Sequence, residues 1–150
     1  MDIILRKAVP GDRQKIESLF IEMLQAVSQT EEELKGYDAG YLDVFFCSRS
    51  KWICVAEADG TVVAYLSIEV HRQPSPYIYL DDFSVTRECR NRGIGTRLLE
   101  RSEQYAREMH IPLLMLHVEQ QNTQALRLYE RLGFSIQARE QNRYRLVKEV

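Results

Sequence analysis

The chain has 150 residues, 45% of them hydrophobic, and its 20 Lys and Arg nearly balance 22 Asp and Glu for a net charge of −2. That is chain enough for one domain with its own core, so neither disulfides nor a structural metal is needed for folding. The charge balance excludes a dominant positive field for a nucleic-acid backbone, and no 18-residue apolar run is available to span a membrane. The opening residues place apolar side chains ahead of Arg6 and Lys7, the reverse of a secretory leader. Cys47, Cys54 and Cys89 are odd in number and widely spaced, as expected of reduced thiols in the cytoplasm. His71, His110 and His117 lack helical i,i+4 pairing, so no metal site is expected.

Residues 2–9 read as a first strand, and Pro10-Gly11-Asp12 then breaks the chain with Asp12 placed to cap a helix. Ile16, Leu19, Phe20, Met23, Leu24 and Val27 give that helix one apolar stripe. A short second helix is predicted over residues 41–47. Residues 52–58 and 61–71 form a hairpin around Asp59-Gly60. Residues 77–85 supply the next strand. The period then turns helical over 93–109, with Ile94, Leu98, Leu99, Tyr105 and Met109 on one stripe. Leu113 to Leu116 are continuously apolar, as expected of a strand buried on both faces. Ala125, Leu128, Tyr129 and Leu132 mark a further helix closed by Gly133, and a final strand pair turns near Gln141-Asn142. The order predicts a single α/β domain over 1–150, with a mixed, mostly antiparallel sheet of about seven strands and helices on both faces. Residues 77–118 form its parallel, right-handed crossover.

The most informative stretch lies where the strand ending at Ser84 and Val85 passes into the 93–109 helix. Arg87, Arg90 and Arg92 crowd this turn, and Gly93 and Gly95 let its backbone approach a ligand closely. Free N–H groups at the positive end of a helix suit a phosphate. No Gly-Lys-Ser/Thr follows, and Leu98 breaks a Gly-x-Gly-x-x-Gly fingerprint, so this is neither a Walker loop nor a Rossmann turn.

Arg90-x-x-Gly93-x-Gly95 resembles the Arg/Gln-x-x-Gly-x-Gly/Ala signature of the GNAT N-acetyltransferase superfamily. Asn122, Ala125, Leu128-Tyr129 and Leu132-Gly133-Phe134 are similar to its second signature, and Leu5-Arg6-Lys7-Ala8 followed by Asp12 to its opening. The resemblance extends along the whole chain. It implies the GNAT fold and acetyl-CoA as the acyl donor. The diphosphate would lie on backbone amides of Arg90, Asn91, Arg92, Gly93, Ile94, Gly95 and Thr96. The pantetheine arm would pair along Ser84 and Val85 and meet Asn122. Ala125 and Arg131 belong to the same second motif and join the donor-binding set. Asn122 is equally suited to cap the helix it begins.

The resemblance also places Tyr129 at the thioester sulfur. A phenol with pKa about 10 can protonate a leaving thiolate whose parent thiol is near 8.5, which makes Tyr129 the candidate general acid. Strand alternation puts Tyr79, Asp81 and Phe83 on one face and Leu80 and Asp82 on the other. In the family this chain resembles, the face that carries the position of Asp81 often looks into the acceptor cleft, which makes Asp81 the first candidate for the base that frees the attacking amine, directly or through a water. Asp82, brought round by a bulge, His117 and Glu119 are alternatives.

The predicted reaction is direct attack by a primary amine of a small molecule in a ternary complex. The resemblance implies an acceptor cleft built from the first two helices and their loop, roughly residues 25–46, and from the loop near residues 72–77. There Tyr37, Tyr41, Tyr77 and Tyr79 would form an aromatic wall, and Glu31, Glu32, Asp38, Asp81 and Asp82 would favour a cationic acceptor. The alternatives are acetylation of a protein N-terminus or lysine, and a sensor that binds acyl-CoA without turnover. The last strands offer a surface for a homodimer but no diagnostic patch.

Overall fold

The computed structural model describes residues 2–27 and 35–150. Seven strands form one sheet in the order β1-β2-β3-β4-β5-β7-β6. They are β1 (Ile3–Lys7), β2 (Lys51–Ala58), β3 (Thr61–His71), β4 (Tyr77–Val85), β5 (Leu113–Glu119), β6 (Ser135–Glu140) and β7 (Arg143–Glu149). All neighbours are antiparallel except β4 and β5. That parallel pair needs a crossover, which α3 (Ile94–Glu108) supplies. The remaining helices are α1 (Arg13–Val27), α2 (Asp43–Cys47) and α4 (Thr123–Arg131). None of the described helices is long and apolar enough to cross a membrane.

Strand alternation divides the apolar side chains between two cores. Ile53, Val55 and Tyr65 face α1 and α2, where Ile16, Leu19, Leu42 and Phe45 cover them. Trp52, Cys54, Leu66, Ile68, Leu80, Leu114 and Leu116 face the other way, toward Ile94, Leu98 and Leu99 of α3. Ala125, Leu126, Tyr129 and Leu132 bring α4 to this second core. The hairpin joining β2 to β3 turns as expected, with positive φ at both Asp59 (50°) and Gly60 (82°).

Three local expectations are corrected. Asp12 ends a 3-10 turn (Pro10–Asp12) instead of capping α1. Its carboxylate reaches back to accept the Val9 N–H at 2.9 Å and two Arg6 bonds at 2.8 and 3.0 Å. The Arg6 hydrogen bonds hold its pKa below the usual carboxylate range. The second helix begins at Asp43, because Tyr41 and Leu42 still belong to a turn. β5 is buried on one face only: Leu114, Leu116 and Val118 are buried, while Leu113, Met115 and His117 are half-buried. α1 packs on β3 and β4 and α2 on β2, which leaves β5 only partly covered on that side.

Candidate active site

β4 and β5 pair at only three positions, Ile78–Leu114, Tyr79–Met115 and Leu80–Leu116. Beyond them the strands part, although β5 remains paired with β7 as far as Glu119 and β4 with β3 as far as Val85. Asp81 and His117 are the first residues past this seam. β4 also bulges here, because Leu66 pairs with Phe83 and Ile68 with Leu80, leaving Ser67 opposite both Asp81 and Asp82. The bulge overturns the simple alternation. Asp82 turns to the α1 face, where Tyr37 donates to its carboxylate at 2.6 Å. Phe83 and Val85 turn instead to the α3 core.

The turn after β4 is built to bring a helix end close to the sheet. Asn91 (φ 62°) and Gly93 (φ 79°) adopt left-handed backbone. Gly93 is the residue before the first turn of α3 and offers no side-chain cap. The amides of Ile94, Gly95 and Thr96 therefore have no partner within the helix. A Cβ at Gly95 would lie 2.9 Å from Cζ of Phe83, so glycine is what admits the helix at this distance. Ile94 is buried, Thr96 is half-buried, and Arg87, Asn91 and Arg92 are exposed on the turn. The Arg90 side chain is engaged within the protein: its Nε donates to the Val85 carbonyl at 2.9 Å. The Ser84 hydroxyl likewise donates to the Leu19 carbonyl of α1 at 3.1 Å.

The start of α4 is satisfied from within. Oδ1 of Asn122 accepts the Ala125 N–H at 3.2 Å, so the capping role expected of Asn122 is filled. Ala125 packs on the α3-side core, and Arg131 is exposed in the last turn. Tyr129 meets the ring of Phe134 edge-on, with centroids 5.8 Å apart. Burial alone pushes its phenol up to about 12.

On the α1 face, Phe20, Tyr37 and Tyr41 stack in succession, with centroids 3.9 and 4.6 Å apart, and Phe45 continues the row at 5.4 Å. Tyr37 commits its proton to Asp82, so the 2.8 Å bond between Tyr65 and Tyr37 has Tyr65 as donor. Burial raises Asp82 above the usual carboxylate range despite the Tyr37 bond, and raises both Tyr37 and Tyr65. Asp81 has no hydrogen bond shaping its titration. Its side chain is exposed at the slot, yet desolvation by the protein crowded around it and then the charges of Asp82 and Glu69 push it up to about 6.

Tyr79 lies 2.6 Å from Nδ1 of His117, whose Nε2 lies 3.2 Å from Glu140. A carboxylate only accepts, so Nε2 carries the proton and Nδ1 accepts the Tyr79 phenol. Burial, followed by Arg143, lowers the His117 pKa and keeps the ring neutral. Tyr77 stacks on His71 at 4.7 Å. Glu119 is exposed at the end of β5, and Asp38 is exposed ahead of α2. Glu31 and Glu32 lie outside the described residues.

A model of the acetyltransferase (GNAT) family matches residues 15–134. The chain belongs to the GNAT family. It is 27% identical over 135 residues to the 5-NmdU N-acetyltransferase of Pseudomonas phage PaMx11, a match covering 89% of this chain and 88% of that one. The PaiA N-acetyltransferase of Thermoplasma acidophilum, solved in complex with coenzyme A, shares the fold at TM-score 0.81 and 16% identity over 100% of both chains. Naa50 of Arabidopsis thaliana, solved with the bisubstrate analogue CoA-Ac-MVNAL, does so at TM-score 0.77, again with 16% identity over 100% of both. This GNAT protein is thus an acetyl-transferring acyltransferase. Because β4 and β5 run parallel, the turns that follow them leave the same end of the sheet, the end at which the two strands stop pairing. The sequence reading missed Glu22, Tyr65, Glu69 and Glu140. Each meets the site through a partner far away in the chain, and no local pattern marks it.

Proposed function

We propose that the protein moves an acetyl group from acetyl-CoA to a primary amine of a small, cationic molecule, by direct attack in a ternary complex. The observation that carries this reading is the aromatic row Phe20–Tyr37–Tyr41 standing beside the Asp81–Asp82 bulge at the parted seam. Aromatic faces and carboxylates together suit an ammonium group. The donor would lie with its diphosphate on the turn of residues 90–96 and its pantetheine arm along Ser84 and Val85. Asn122, Ala125 and Arg131 would flank it from the α4 side. The CoA complex of the PaiA neighbour is consistent with such a donor site.

In this mechanism Asp81 takes the proton from the incoming ammonium, because an amine must be neutral to attack the thioester carbonyl. A carboxyl raised to about 6 is ionised at neutral pH yet more basic than an ordinary aspartate. Asp82 is already committed to Tyr37, and both ring nitrogens of His117 are committed to Tyr79 and Glu140, which favours Asp81 over either. Tyr129 stabilises the departing thiolate, which ends as the thiol by taking the second proton that the acylated nitrogen sheds. At about 12 its phenol stays protonated throughout the working range. Full transfer to a thiolate of pKa about 8.5 would run uphill by roughly 5 kcal/mol, so Tyr129 acts best by hydrogen-bonding the sulfur as the C–S bond breaks. Free cysteines, two of them buried, suit a cytoplasmic setting.

Thiol release from acetyl-CoA, measured against a polyamine, an amino sugar, an amino-acid amide and peptides with free N-termini, tests the reading. Turnover with the small cations is expected. Turnover with peptides alone would replace it with protein N-terminal acetylation, the acceptor class carried by the Naa50 analogue. CoA binding with no turnover on any amine would leave a sensor.

A further inference from the structure

We propose that Glu22, on the acceptor-side helix α1, is a positioning residue for the donor. Its carboxylate fixes the chain that leads from β4 into the 90–96 turn. This rests on the reading of that turn as the diphosphate site. Oε1 of Glu22 accepts the backbone N–H of Arg87 at 2.8 Å, and Oε2 accepts the Thr86 hydroxyl at 3.0 Å. A guanidinium nitrogen of Arg90 stands 4.0 Å from Oε1. Two hydrogen-bond donors and one guanidinium, all from five consecutive residues, thus converge on one side chain some 65 residues away in sequence.

The need for such an anchor follows from local structure. Arg87 opens the 3-10 turn Arg87–Cys89, and Thr86 before it makes no side-chain cap bond to that turn. An opening N–H of a helical turn has no internal acceptor. Glu22 fills that vacancy from another element and so caps the turn through tertiary structure. The Thr86 hydroxyl has a single proton, contested by Glu88 at 3.2 Å, which leaves the Arg87 bond as the firm one. Electrostatics alone would disfavour the arrangement, since a carboxylate beside a diphosphate site repels the ligand. Arg87 and Arg90 beside it offset that repulsion, and the geometric role gives the carboxylate a reason to be there.

The anchor also joins the two halves of the site. Glu22 sits on the same helix as Leu19, whose carbonyl holds Ser84, and as Phe20, which floors the Tyr37–Tyr41 stack. The helix that shapes the acceptor wall therefore also sets the height of the donor turn.

Calorimetric titration of the wild type, Glu22→Ala and Glu22→Gln with CoA and with pantetheine tests this, because pantetheine has the arm and thiol but no diphosphate. The wild type should bind CoA the more tightly. Glu22→Ala should weaken CoA about tenfold, the scale of losing a hydrogen bond to a charged group, and leave pantetheine within about twofold. Glu22→Gln keeps an oxygen for the Arg87 N–H and should stay within about threefold of wild type. Wild-type CoA affinity in Glu22→Ala, or equal losses for both ligands, would overturn the positioning role. A Glu22→Gln as weak as Glu22→Ala would overturn the hydrogen-bond account. A wild type with no preference for CoA over pantetheine would sink the diphosphate reading, and this proposal with it.

Discussion

The two helices that flank the parallel strand β5 begin in opposite ways. α3 opens behind Gly93 with no side chain to receive its first amides, whereas α4 opens behind Asn122, whose side chain takes the Ala125 N–H. One start is left open to an acceptor from outside, and the other supplies its own. The contrast separates two kinds of contribution on our reading: α3 offers backbone donors, and α4 offers a side chain, Tyr129, carried on a helix that is finished without help.

The sharpest way to break this division is Tyr129→Phe. It should lower kcat on the order of 100-fold while the CoA dissociation constant stays within about twofold, as stopped thiol release and calorimetry would show. Parallel loss of CoA affinity would mean that α4 binds the donor as much as α3 does. Asp81→Asn comes next, since neither helix supplies the base. The wild-type kcat/KM should climb as pH rises through about 6, because only the ionised carboxylate accepts a proton. The variant should lose roughly tenfold or more at neutral pH, and that acid limb with it. An unchanged limb would move the base elsewhere. Gly93→Asp places a carboxylate where α3 has no cap, in a left-handed conformation that aspartate tolerates. It should weaken CoA about tenfold with little change in kcat. Smallest of all, Asn122→Ala removes the cap of α4 and should cost about 1 kcal/mol, or about 3 °C in Tm by calorimetry.

Features carried by contiguous residues were legible in the sequence. The glycine-bearing turn, the cap at Asn122, the Asp59-Gly60 hairpin and the apolar stripe of α3 all depend on neighbours within a few positions. Features made by pairing were not. The alternation that put Phe83 with Asp81 fails because a bulge belongs to two strands at once, and its place is set by how Leu66 and Ile68 meet β4. β5 reads as doubly buried from composition, yet α1 and α2 pack chiefly on β2–β4, and Leu113, Met115 and His117 stay half-buried. Asp12 met a stronger partner than a helix amide in Arg6. The Tyr65–Tyr37–Asp82 chain joins three distant segments and has no local trace.

The short ladder between β4 and β5 also has a mechanical consequence. Three residue pairs are all that stitch a four-strand leaf, β1 to β4, to a three-strand leaf, β5 to β7. A sheet sewn so briefly at mid-span opens a slot between two leaves whose own ladders are far longer, and the shared core under Leu80, Leu114 and Leu116 holds the leaves together below it. α3 packs on both β4 and β5, and so rides the joint as a strut across the two leaves.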